Sequence, residues 1–155
     1  MEIVFGSDHA GFELKNKLIS HVREKGFKVQ DIGCFGTESV DYPLYGYLVG
    51  KRVSMSGDSL GVVVCGTGIG ISIAAGKVKG IRAFACSDSY SARMAREHND
   101  ANVIGIGARV IGEELAKDII DSFLSAEFKG GRHGRRISMI NEIDETGVLS
   151  SATDE

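Results

Sequence analysis

The residues best suited to chemistry fall in four short runs. The first, CGTGIG at 65–70, puts a cysteine directly before a glycine-rich turn that opens a helix. Glycines in such a turn let main-chain N–H groups gather into a nest that holds an anion. A helix N-terminus also favours a thiolate over a thiol, and a thiolate can act as nucleophile or general base. Cys65 is either that group or a small buried filler, the usual fate of a free cysteine. The glycine spacing misses the dinucleotide fingerprint, because the third glycine comes one residue early and no acidic residue closes the following strand. A small anion or an oxyanion therefore fits this turn better than a dinucleotide. Cys86 ends a neighbouring strand with no glycine nest after it, and Cys34 lies in a loop, so both are weaker candidates.

The second run is SDHAGF at 7–12. Ser7 or Asp8 can cap the helix that follows, a task that does not need His9. His9 beside an acid at a strand end is a candidate ligand for a phosphate or hydroxyl. The third run, EHND at 97–100, puts His98 at a helix end before a strand, where it can simply neutralise the helix C-terminus. The fourth gathers Lys129, Arg132, His133, Arg135 and Arg136 within eight residues. Arg132 and Arg136 are four apart and share a face if the segment is helical. Guanidinium forks match phosphate oxygens in pairs. A solvated basic turn and a nucleic-acid patch are the competing readings, and one short patch on a net-negative chain favours a small phosphorylated ligand.

Positioning these runs requires an alternating scaffold. Residues 2–6, 27–32, 60–65, 81–86 and 102–107 read as strands. Helical patterns cover 10–25, 44–55, the stretch opened by the glycine turn, 88–97 and 112–126, with Asp88 a candidate N-cap. From Lys129 a loop leads to a short amphipathic helix, and 144–155 reads as a frayed acidic tail outside a single domain of residues 1–143. Five strands alternating with helices predict a three-layer α/β/α, Rossmann-like domain with a five-stranded parallel sheet. Such sheets bind ligands beyond the carboxyl ends of their strands, which singles out Ser7–His9, Gly33–Tyr42, Cys65–Gly70, Ser87–Tyr90 and Gly107–Arg109.

The bulk properties narrow the function. The chain has 155 residues, room for one ordinary domain. A net charge of −3 argues against a general nucleic-acid binder, and no apolar run approaches the roughly 20 residues of a membrane helix. The N-terminus lacks the pattern of a signal peptide and the three cysteines form no CxxC pair, so a cytoplasmic protein with reduced thiols and no structural zinc is expected. Glycine, at 21 residues, is roughly twice its usual share. Seven glycines fall between 57 and 80.

GSDHAGFELK (6–15), SVDYP (39–43), CGTGIGISIAA (65–75), GIRA (80–83), REHNDANV (96–103) and GGRH (130–133) together resemble the type B ribose-5-phosphate isomerase family, which also holds galactose-6-phosphate isomerase subunits. The resemblance implies interconversion of ribose 5-phosphate and ribulose 5-phosphate through an enediolate, with no metal or cofactor. It implies a homodimer, or dimers paired into a homotetramer, with active sites at the subunit interface. On it, Cys65 matches the base that moves a proton between C1 and C2, and His98 the residue that helps open the furanose ring. Asp8 and Tyr42 match residues around the sugar, and Asn99 one that holds a sugar oxygen. Thr67 with Gly66, Gly68 and Gly70 matches the anion-stabilising loop. His9, Arg109, Arg132 and Arg136 match the phosphate ligands, with Arg132 and Arg136 supplied in trans. A six-carbon sugar phosphate such as galactose or allose 6-phosphate, and a non-catalytic phosphate-binding module, are the alternatives. On this reading Gly68→Ala is expected to harm turnover more than folding.

Overall fold

The computed structural model describes residues 1–152; the last three residues of the expected tail, 153–155, lie outside the described residues. Five strands, β1 (Glu2–Ser7), β2 (Lys28–Asp31), β3 (Ser59–Cys65), β4 (Ala83–Ala85) and β5 (Val103–Gly107), form one sheet in the order β2-β1-β3-β5-β4. Every pairing is parallel. Six helices complete the fold: α1 (Phe12–Glu24), α2 (Tyr42–Ser54), α3 (Ile69–Gly76), α4 (Ser89–Asn99), α5 (Glu113–Leu124) and α6 (Arg132–Thr146).

Alternation along the strands divides the core in two. Ile3, Phe5, Val62, Val64, Ile104 and Ile106 pack against α1, α4 and α5 through Leu18, Val22, Ala92, Ile119 and Phe123. Val4, Val63, Cys65 and Val103 face α2 and α3 through Val49, Val53, Ile71 and Ala75. This division follows from right-handed crossovers: steps leftward along the sheet (β1 to β2, β4 to β5) put α1 and α4 on one face, and rightward steps put α2 and α3 on the other. The β3 sequence SLGVVVC is buried at all seven positions, as a central parallel strand requires.

Three of the departures from the sequence reading have a visible cause. The fourth strand is only 83–85 because the segment before it is drawn into turns: Ile81 N donates to Val78 O (3.0 Å) and Arg82 N to Asn102 Oδ1 (2.8 Å). Helix α2 starts at Tyr42, two residues early, with Pro43 in its first turn, where no N–H is needed. The last helix is 15 residues long and runs past residue 143, closing at Gly147 in the left-handed region (φ 74°). Asp144 fastens it by accepting the Gly80 N–H at 2.7 Å. Among the described residues, no helix is long and apolar enough to cross a membrane.

Helices α1 and α5 are joined at their solvent edge by Glu113, which binds Lys17 (2.8 Å) and Lys117 (2.8 Å). Hydrogen bonds from Lys117 and then Lys17 hold the Glu113 carboxyl down to about 2. A depressed carboxylate stabilises the fold above its unfolded value and loses that contribution as the pH falls toward its folded one. Glu113→Gln is therefore expected to lower the thermal midpoint slightly at pH 7. Melting curves should show that difference closing between about pH 4.5 and pH 2, and shrinking in high salt.

Candidate active site

Parallel strands deliver their carboxyl ends to one edge of the sheet, and there the loops after β1, β3 and β5 surround a cleft of about 420 Å³. Asp8, His9, Tyr42, Cys65, Gly66, Thr67, Gly70 and Arg109 line it, eight of the residues expected from sequence. Asp8 is buried, and its Oδ1 accepts the Gly11 N–H at 3.0 Å, so it secures the turn into α1 while facing the cleft. His9 Nδ1 accepts the Val40 N–H at 3.2 Å. That contact assigns the proton of a neutral imidazole to Nε2, the nitrogen left to donate to a ligand.

Cys65 ends β3 with its sulfur accepting the Gly68 N–H at 3.1 Å. The other two cysteines are arranged the opposite way. Cys34 gives its S–H to Gly36 O (3.3 Å) and Cys86 to Asp88 O (3.0 Å). Burial pushes the Cys86 thiol above its ordinary value. Of the three, Cys65 is the sulfur that faces the cleft, and it does so while accepting a main-chain N–H.

The glycine loop works differently from a simple outward nest. The Gly68 N–H is given inward to Cys65. Gly68 itself has φ 78°, and a Cβ there would sit 2.9 Å from the Ile106 carbonyl carbon. Gly70 carries the Tyr42 ring: a Cβ at this position would meet ring atoms at 2.7 Å. The loop is tied to the end of β5 through Ala108 N to Cys65 O (2.9 Å) and Arg109 N to Gly66 O (3.0 Å).

The remaining expected residues form a second cluster. His98 and Asn99 close α4, and Arg132 and Arg136 lie on the first turns of α6. None of the four lines the Cys65 cleft. Topology explains the separation. A crossover helix runs antiparallel to its strands, so α4 ends where β5 begins, whereas Cys65 pairs with Gly107 at the far end of β5. Five strand residues span about 16 Å. The second cluster is itself well organised. The His98 and His133 rings stack at 4.1 Å, 5° from parallel. Burial, then the facing His98 imidazole and the positive charges of Arg132, Arg136 and Lys129, pushes the His133 imidazole below its ordinary value. Lys129 pairs with Glu97 at 2.5 Å, so this member of the basic run is already occupied. Arg82 and Arg96 both clamp Asp100, at 2.7 and 3.0 Å, fixing the last turn of α4. From sequence, His133 stands out only as one of five basic residues; its partner is 35 positions away and no local pattern links them.

Cleft and fold define an α/β domain that presents an acceptor thiol, a histidine and an arginine at the carboxyl edge of a parallel sheet, the equipment of proton-transfer chemistry on a small anionic substrate. Residues 3–140 match the ribose/galactose isomerase family, and the chain belongs to it. It is an isomerase. Ribose-5-phosphate isomerase B of Escherichia coli is 47% identical over 144 residues, covering 93% of this chain and 97% of that one. The Clostridium thermocellum ribose-5-phosphate isomerase B structure superposes with a TM-score of 0.93 at 51% identity, covering 96% and 100% of the two chains. The Mycoplasma genitalium enzyme, solved with bound ribulose-5-phosphate, gives 0.89 at 38% identity, covering 94% and 97%.

Because Gly68 is left-handed and packed on the β5 main chain, the structure ties it to stability as well as to the site. Gly68→Ala is expected to cost roughly 1–3 kcal/mol of stability from backbone strain. Paired melting and turnover measurements should show both falling; an unchanged melting midpoint would mean the loop moves off β5 at little cost.

Proposed function

We propose that this chain interconverts ribose 5-phosphate and ribulose 5-phosphate through an enediolate, as a homodimer or a pair of dimers in which a second copy completes each cleft. The reading is carried by one observation: the Cys65 sulfur is held as an acceptor inside a cleft with Asp8, His9, Tyr42, Thr67 and Arg109. The ribulose-5-phosphate bound by the Mycoplasma genitalium relative supports the choice of substrate.

In this mechanism His98 of one copy assists opening of the furanose, carrying the proton of the anomeric hydroxyl to the ring oxygen as the bond from C1 to the ring oxygen breaks. Cys65 of the other copy, as thiolate, removes the proton from C2 of the open aldehyde. The electron pair moves into the C1–C2 bond and the C1 oxygen becomes the enediolate oxygen. A proton passes from the C2 hydroxyl to the C1 oxygen, and Cys65 returns its own proton to C1 as the C2 oxygen becomes the carbonyl, giving the ketose. Thr67 with the turn 66–70 faces the developing charge, and Asp8, Tyr42 and Asn99 hold the sugar. His9 and Arg109 meet the phosphate from the cleft side, Arg132 and Arg136 from the partner side. Binding a phosphate distant from the reacting carbons keeps the open chain in register. Gathering His98, Asn99, Arg132 and Arg136 on one edge, away from Cys65, supports their supply in trans.

Cys65→Ala is expected to lower kcat/KM for ribose 5-phosphate by about 10²–10⁴; near-normal turnover overturns the mechanism. His98→Ala should impair ribose 5-phosphate but spare erythrose 4-phosphate, an aldose with no free hydroxyl to close a furanose. Mixing and reassembling the two inactive variants should restore about one quarter of wild-type turnover, because half of the dimers are then mixed and each has one intact site. A mixture that stays inactive contradicts the shared cleft. Comparing kcat/KM across four-, five- and six-carbon aldose phosphates decides between ribose 5-phosphate and a longer sugar.

A further inference from the structure

Lys15 is fully buried on α1, although lysine is among the residues least often found without solvent. All three of its ammonium donors are used. Nζ donates to Asp31 Oδ1 (2.7 Å), Asp31 Oδ2 (2.9 Å) and Cys34 O (2.8 Å). The rings of Phe12 and Phe35 flank it, their centroids 5.7 and 5.2 Å away. A buried ion pair adds little stability over an apolar pair of similar volume, because desolvation offsets the attraction. What it does supply is a fixed direction for the groups it binds.

Those groups lead straight to the cleft. Asp31 Oδ1 also accepts the Gly33 N–H at 2.9 Å, so the pair grips residues 31–34 from two sides. This segment extends the pairing of β1 beyond β2. Ile32 N donates to Phe5 O (2.8 Å), Ser7 N to Gly33 O (2.6 Å) and Cys34 N to Ser7 O (2.7 Å). Ser7 is thereby held on both its main-chain groups immediately before Asp8 and His9. The same loop goes on to Val40, whose N–H fixes the His9 ring, and to Tyr42.

We propose that Lys15, paired with Asp31, is a positioning residue for the cleft: it holds the 31–34 segment against Ser7 and so sets the placement of Asp8 and His9. The inference rests on the cleft being the substrate site. Three full-length variants test it: Lys15→Met, Asp31→Asn and the Lys15→Met/Asp31→Asn double. The readouts are melting midpoint, kcat/KM for ribose 5-phosphate, and the ¹⁵N imidazole signals of His9.

Lys15→Met is expected to melt lower and to lose about 10–100-fold in kcat/KM, the size of a small misplacement of reacting groups. The double variant should regain melting temperature, since no charge is left unpaired, without regaining kcat/KM. His9 should exchange its single Nε2–H tautomer for a mixture. A double variant with wild-type kcat/KM and unchanged His9 signals overturns the proposal, and so does a folded Lys15→Met with wild-type values. If Lys15→Met does not fold, the other two variants decide by the same criteria. Failure of all three to fold makes the pair a folding requirement and overturns the positioning role. A wild-type protein that does not convert ribose 5-phosphate refutes the functional reading instead, and the His9 signals still decide this one.

Discussion

The polarity of the crossover unit governs this molecule. Each strand of the parallel sheet ends at one edge, and each crossover helix returns its own C-terminus to the other. Cys65, Asp8 and His9 sit at strand ends, so they share the first edge. His98 and Asn99 sit at a helix end, so they belong to the second. The α6 arginines join them there, because α5 also runs back across the sheet before α6 begins. No rotamer change closes a gap of the order of a strand length, about 16 Å. This is why the proposed chemistry, which needs both groups, draws them from two copies of the chain.

Each half is tied together by its own hydrogen bonds and ion pairs. On the strand-end side, main-chain bonds tie residues 65–66 to 108–109, and the Gly68 N–H fixes the sulfur. On the helix-end side, Asp100 adopts φ 45°, uncommon for a residue with a side chain, and holds Arg82 and Arg96 on its two carboxylate oxygens. Glu97 ties α4 to the chain entering α6 through both its side chain and its carbonyl, which accepts the Lys129 N–H at 3.0 Å. The His98–His133 stack lies between these ties. Separate preorganisation of this kind suits the proposed shared site, which would form by docking alone with little ordering of side chains left to oppose it.

Much of this architecture is legible in the sequence. The run LGVVVC can be little other than a central strand, and alternation with amphipathic helices leads to a parallel sheet. The strand-end rule points to the loops that line the cleft, and also to Ser87–Tyr90, which does not line it. Less legible are features set by distant partners. The fourth strand is short because Asn102 captures the Arg82 N–H across 20 positions. The last helix is long because Asp144 reaches Gly80, 64 positions away. Lys15 reads as an ordinary polar position of an amphipathic helix until Asp31 and Cys34 fold over it. The glycines were legible as a cluster but not in their tasks. Gly68 serves the sulfur and the β5 main chain, and Gly70 makes room for a tyrosine ring.

Strand-before-helix and helix-before-strand are both visible in the bare sequence, and they carry different information about a site. SDHAG and CGTGIG follow strands, whereas EHND precedes one. In a parallel sheet that order alone assigns the first two to one edge and the third to the other. A residue set whose chemistry must converge, yet whose members fall on opposite sides of this rule, is already a sequence-level argument for an oligomeric site. The basic segment obeys the same logic, since it follows a crossover helix rather than a strand. In the proposed assembly the rule also distributes charge. The cleft brings a buried carboxylate, a histidine and one arginine, and the partner edge brings Arg132 and Arg136 beside a His133 whose imidazole burial pushes below its ordinary value. A phosphate dianion held between the two edges would offset the positive charge of both, so substrate and assembly would favour one another.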